Sequence, residues 1–215
     1  VTLPLPLRNR LAHLVLEAFH DRDARRGLEA LAAVCANPRA LDAAAPPAAF
    51  PAELFDRGPE GWRIKSGYRE HAAPFTERAT RAALALADRP LAPADAPVET
   101  VLDQAAVLFA AGLYFEVHEI LEPHWMRAEG ATRPALQGLI QVAVGYQHLA
   151  NANLGGARAL LHDGAAKLLG QRLVGRDLDP FAREVAVHAR ELAAGDEETA
   201  RRFDWGRVPP FPAEA

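Results

Sequence analysis

Residues in the second half of the chain recur at alternating steps of three and four, a spacing that only a helix turns into one continuous face. Val101, Gln104, Leu108, Ala111, Phe115, His118, Glu122 and Trp125 form the longest such row, and the spacing predicts a single helix face that Gly130 brings to a close. Alanine and leucine dominate elsewhere while β-branched residues are sparse, which favours helix over strand along the rest of the chain. The expected fold class is all-α: a helical bundle of antiparallel helix hairpins with an additional N-terminal helical region.

Leu11, Leu14, Val15, Ala18 and Phe19 mark a first helix, and Leu28, Leu31, Ala32 and Cys35 a second, with Gly27 near their junction. Pro46, Pro47, Pro51 and Pro59 make a continuous helix untenable up to Gly61, so that stretch reads as an irregular loop. Another helical window runs from Pro74 to Ala87, and Pro90, Pro93 and Pro97 then mark a boundary. The predicted organisation is residues 1–95 as an N-terminal helical region, 96–200 as the helical bundle and 201–215 as an extended C-terminal tail. Within the bundle, Pro134 suits a first helical turn capped by Thr132 or Arg133, and Asn153 suits the cap of the next helix. Gly164 leaves room there for close packing, and Asp179 followed by Pro180 announces a fourth helix. The aromatic and proline-containing segment Phe203 to Phe211 is expected to lie extended across the helices.

Composition narrows the function classes. The 215 residues are 50% hydrophobic, enough for a buried core, and 24 Lys plus Arg against 28 Asp plus Glu give a formal charge of −4 with no basic run to follow a phosphate backbone. Nucleic acid is therefore not expected as a partner. Cys35 is the only cysteine, so no intrachain disulfide forms and a reducing compartment is expected. No stretch approaches the roughly 18 apolar residues of a membrane span, and the N-terminus lacks the charged start and apolar run of a signal peptide. A cytoplasmic protein without membrane partners is the expectation.

His118 and Glu122 stand out because they sit on the row that also carries Leu108 and Phe115, where an unpartnered polar group costs on the order of 1–3 kcal/mol. Four residues apart, they are one helical turn apart, which suits an imidazole–carboxylate hydrogen bond, a proton-exchanging pair or two ligands of one metal ion. His118 and Glu122 are thus the candidate catalytic residues. A divalent metal would need a further ligand beside Glu122, from His148 or Glu119, and Glu122 with His148 is the candidate set. Pro123 removes the N–H that would reach the Glu119 carbonyl, and a kink there would turn that carbonyl toward the same site. The following helix carries a polar row of Gln137, Gln141, Gly145 and His148 that an antiparallel hairpin would turn toward the first. Trp125, Gln137, Gln141, Tyr146 and His148 are accordingly the candidate substrate-binding residues of a small-molecule pocket. His13, His20, His71, His124, His162 and His188 share no defensible spacing with carboxylates and are expected to be exposed. Cys35 reads as a small buried residue rather than a nucleophile.

At these residues the chain resembles a known family. The run G-L-Y-F-E-V-H-E-I-L-E-P-H-W from Gly112 to Trp125 contains H-x-x-x-E-x-x-W, followed by R-P-A-L-Q-G-L-I-Q from Arg133 to Gln141, then His148, Asn153 and G-A-R-A-L-L from Gly156. It resembles the bacterial and archaeal helical family catalogued as domain of unknown function 309, over roughly residues 100–195. The resemblance implies an α-helical bundle whose functional site is built from the motif residues His118, Glu122 and Trp125, and it brings no established reaction with it. Two function classes are expected. One is a small-molecule site, hydrolytic or metal-assisted, built from His118, Glu122 and His148. The other is a non-catalytic protein- or peptide-binding module, because Gly112-x-Tyr114 and Gly156-Ala157 echo tetratricopeptide repeats, with His118 and Glu122 as a structural buried pair. Solvent exposure of His118 and Glu122 separates the two.

Overall fold

Helix dominates, as the alanine and leucine content requires, and the computed structural model, which describes residues 2–214, is an all-α fold with two short strand pairs among the described residues. The chain divides into two compact units, Val1–Ala96 and Pro97–Ala215.

In the first unit, α1 (Leu5–Glu17) begins behind Pro4 and takes Pro6 in its first turn, where a missing N–H costs nothing. Helix α2 (Arg22–Ala36) is capped by Asp21, whose carboxylate accepts from the Ala24 N–H at 2.7 Å. Gly27 lies inside α2 rather than at the junction. The Ala49 backbone passes so close that a Cβ at position 27 would sit 2.9 Å from its carbonyl carbon. The proline-rich stretch is not wholly irregular, because β1 (Phe55–Gly58) pairs antiparallel with β2 (Gly61–Ile64). Pro51 and Pro59 flank β1 instead of occupying it, so they exclude a helix without excluding a strand. Gly61 holds φ at +89° against the Pro38 carbonyl, which accepts from the Trp62 N–H at 2.8 Å, and any Cβ there would run into that carbonyl. A 3₁₀ segment (Ser66–His71) leads into α3 (Ala72–Leu86). The buried Arg25 guanidinium joins these helices: Nε donates to the Ala18 carbonyl at 2.8 Å, and Nη1 donates to Leu86 and Arg89 at 2.6 and 3.0 Å. It thus sits at the carbonyl ends of α1 and α3, where the helix dipoles favour a cation.

The second unit holds α4 (Val98–Ala110), α5 (Tyr114–Arg127), α6 (Thr132–Ala150), α7 (Leu154–Leu168), α8 (Asp179–Ala194) and the short α9 (Glu197–Arg201). The predicted single helix through residues 101–125 is broken at Ala111–Leu113. Gly112 takes φ +67°, which no helix continues through, and its N–H together with that of Leu113 closes the end of α4 on the Phe109 and Leu108 carbonyls. Helix α6 begins at Thr132 with Ala131 before it and no side-chain cap, whereas Asn153 caps α7 as expected, accepting from the Gly156 N–H at 3.0 Å. Helices α6 and α7 pack at small-residue contacts: a Cβ on Gly164 would meet the Gly138 carbonyl at 2.9 Å, and one on Gly145 would meet the Leu161 side chain. A second hairpin, β3 (Arg172–Leu173) with β4 (Arg176–Asp177), turns through Val174 and Gly175, both at positive φ, as a primed two-residue turn requires.

The tail closes this core. After a 3₁₀ turn (Trp205–Arg207) it runs extended, and the Phe211 ring packs 5.5 Å from Phe109 and 6.1 Å from Phe181. Buried Arg176 holds it there: Nη1 donates to the Pro212 carbonyl at 2.8 Å while Nη2 pairs with Asp103 at 2.7 Å.

Candidate functional site

Helix α5 turns Tyr114, Val117 and Leu121 into the core, and Glu116 with them, while Phe115, His118, Glu119 and Glu122 lie on its half-buried flank. The break at Gly112 explains this, since Leu108 and His118 belong to different helices and the face that buries one does not bury the other. The His118 side chain is 25% exposed and that of Glu122 43%. The expectation of a buried pair is therefore corrected to a half-exposed one. His118 meets two carboxylates at once: its Nδ1 is 2.9 Å from Glu119 Oε1, and its Nε2 is 3.7 Å from Glu122 Oε1. The first distance is a hydrogen bond in which Nδ1–H donates, and in the neutral imidazole that tautomer leaves the Nε2 lone pair facing Glu122. The second is too long for a hydrogen bond, which ends at about 3.2 Å. One ligand atom from each of His118, Glu119 and Glu122 lies within 4.8 Å of the other two, a spacing that could hold a metal ion. Inside the same helix, Pro123 leaves the Glu119 carbonyl without its usual N–H donor.

The polar row of α6 is distributed unevenly around this cluster. The four residues 128–131 join α5 to α6, and His118 lies nine residues before Arg127 as Gln141 lies nine after Thr132, so the two stand level across an antiparallel hairpin. The Gln141 side-chain oxygen is buried and has no donor. Gln137 is half-buried one turn nearer the loop. His148 is drawn elsewhere: its Nδ1 meets the Asn153 amide at 2.9 Å, at the start of α7, and no group of three or more metal-ligand atoms among the described residues includes it. Tyr146 is fully buried on the other side of α6, and its hydroxyl shares a hydrogen bond of 2.8 Å with His188 Nδ1 inside an aromatic cluster with Tyr114 and Phe203. Trp125 packs beneath Arg133, whose guanidinium lies 4.9 Å from the ring centroid and donates to the Trp125, Met126 and Ala128 carbonyls. That arrangement locks the α5–α6 turn. The indole N–H of Trp125 is buried without an acceptor.

Two features differ from the expectations: the contact of Glu119 with His118, where the sequence offers Glu119 only as a further metal ligand, and the burial of His188. Glu119 is the closest partner of His118, yet neighbours in sequence do not face each other on a helix and no periodicity points to the pair. His188, expected to be exposed, is only 3% exposed. It continues the steps Val185, His188, Leu192 of the buried face of α8, and that signal is present in the sequence. Burial, with nearby Arg207, holds its imidazole below the usual histidine range, while burial pushes the Tyr146 phenol up, so a neutral imidazole meets a phenol that keeps its proton.

Helices α4 to α6, their connecting turns and the first half of α7 are the part of the chain that resembles something known. Residues 102–160 match DUF309, a domain of unknown function. The DUF309 match spans His118, Glu119, Glu122, Gln141 and His148, and it is shorter than the 100–195 expected from the motifs, ending within α7. Neither a curated protein nor a solved structure matches the chain.

Proposed function

We propose that the DUF309 segment carries a small-molecule site at which His118 and Glu122, assisted by Glu119, hold a divalent cation. The observation that supports this reading is the 3.7 Å gap between His118 Nε2 and Glu122 Oε1. It is too wide for a hydrogen bond, yet two ligands each about 2.0–2.2 Å from one ion span such a gap. Glu119 then has the role of the carboxylate that receives the far N–H of a metal-bound histidine, orienting the ring and raising its basicity. A cation bound here would act as a Lewis acid toward a small substrate or a water molecule, the hydrolytic class of chemistry. Gln141, nine residues into α6 as His118 is nine from the end of α5, adds a half-buried polar side chain on the neighbouring helix. The half-exposure of the cluster supports access from solvent. The same reading takes the protein to be cytoplasmic, with its lone cysteine as support.

The test is titration of Mn²⁺ and Zn²⁺ into the full chain by calorimetry, with melting curves alongside. A single site is expected, lost in His118→Ala and in Glu122→Gln and weakened about 10- to 100-fold in Glu119→Gln. At a hundredfold excess over Kd the gain in stability is about 2.7 kcal/mol. His148→Ala is expected to bind normally. Loss in that variant instead would move the ligand set to Glu122 and His148, and no binding by the parent protein would remove the metal reading.

A further inference from the structure

The first unit contains a cavity of about 340 Å³ between α2, the β1–β2 hairpin and the start of α3. Its volume falls within the range of about 300–1,000 Å³ typical of small-molecule sites. Val34, Phe55, Trp62, Ile64 and Phe75 give it apolar walls, three of them aromatic. Its polar lining is of one sign. Arg63 and Arg69 both line it and both are exposed; Arg63 pairs with Glu60, whereas the Arg69 side chain has no hydrogen bond or ion pair among the described residues. Trp62 adds an indole N–H that is buried without an acceptor, and the Arg57 guanidinium lies 5.4 Å from its ring centroid. No carboxylate lines the cavity.

We infer that this cavity binds a small aromatic carboxylate, with its ring among Phe55, Trp62 and Phe75 and its charge at Arg69. A planar ring matches the aromatic walls, which favour stacked and edge-on contacts. A carboxylate matches what the lining lacks: it takes a forked pair of hydrogen bonds from a guanidinium free of other partners. A neutral analogue of the same shape would keep the apolar contacts and lose that pair. A cationic one would meet Arg63 and Arg69 unfavourably. The site is independent of the cluster on α5, lying wholly within Val1–Ala96.

The probe is 2-naphthoate, titrated into the full chain by calorimetry beside the neutral 2-naphthylmethanol. Cys35 supplies a second readout, because it lines the cavity and is the chain's only thiol, so alkylation by iodoacetamide reports occupancy at one position. The expected result is one binding site for naphthoate, at least tenfold weaker binding of the alcohol, a similar loss in Arg69→Gln, and alkylation slowed by naphthoate in the parent protein only. Arg69 is exposed, so this substitution does not threaten folding. Equal affinity for acid and alcohol, unchanged binding in Arg69→Gln, or alkylation insensitive to naphthoate would each overturn the assignment, as would failure of the parent protein to bind at millimolar naphthoate.

Discussion

His118 is one imidazole between two carboxylates, and the two contacts differ in kind: one is a hydrogen bond at 2.9 Å, the other an open approach at 3.7 Å. Without metal, therefore, His118 and Glu122 behave as a half-exposed pair one turn apart. A double-mutant cycle of His118→Ala and Glu122→Ala, unfolded by urea in the presence of a chelator, is expected to give a coupling of about 0.3–0.5 kcal/mol. A coupling of about 1–3 kcal/mol would mean that the pair is desolvated after all. The sequence makes this pair legible through its spacing of four, but not its exposure, because the row that carries Leu108 into the core crosses from one helix to the next before it reaches His118. His188 belongs to the opposite case, a titratable group inside the core. Its folded-state pKa is lowered from 6.5, so the unfolded chain takes up the proton first. Its stabilising contribution is whole above about pH 6.5 and is lost as the pH falls below that value. His188→Asn, which can still hydrogen-bond Tyr146, is expected to be less stable than the parent at pH 8 and to narrow that gap at pH 5.5 in urea unfolding. An equal gap at both values would exclude the titration.

At the scale of elements, position 112 decides most. A left-handed residue there separates α4 from α5, and Gly112→Ala is expected to destabilise the protein by about 1–2 kcal/mol, the cost of that conformation for a residue with a Cβ. Ala111→Gly, at the right-handed cap residue that follows α4, is expected to cost roughly 1 kcal/mol or less, and comparing the two by denaturant unfolding tests the assignment. The break is invisible to periodicity for a physical reason: Ala111 to Phe115 preserves the helical step across the turn. The caps were legible where side chains provide them, as at Asn153, and illegible at Ala131, where the chain enters α6 without one. Both hairpins escaped notice for a related reason. Strands of four and two residues are too short to establish a period of two, and Val174 is an unexpected occupant of a position at φ +46°.

At the scale of the whole molecule, each unit buries a core of its own: Leu7, Leu11, Leu28 and Phe75 in the first, Leu102, Leu108, Leu139 and Tyr146 in the second. Residues 97–215 expressed alone are expected to stay helical and to melt cooperatively by circular dichroism, and a non-cooperative melt would tie this unit to the first. Pro90, Pro93 and Pro97 lie between the end of α3 and the start of α4. What composition could not reveal is how the second unit finishes. Its buried Arg176 takes its partners from both ends of the unit, Asp103 near the start and the Pro212 carbonyl 36 residues after Arg176 itself. A ribosome delivers these residues in order, at about 5–20 per second. Until residue 212 has cleared the exit tunnel, the nascent unit holds a guanidinium that cannot be buried and a gap where Phe211 belongs. In the first unit Arg25 also waits for partners downstream, the Leu86 and Arg89 carbonyls, but both are delivered before the second unit begins. Maturation is thus vectorial: the amino-terminal half can close while its successor is still being translated, and the successor stays accessible to chaperones and proteases until its last turn of chain arrives.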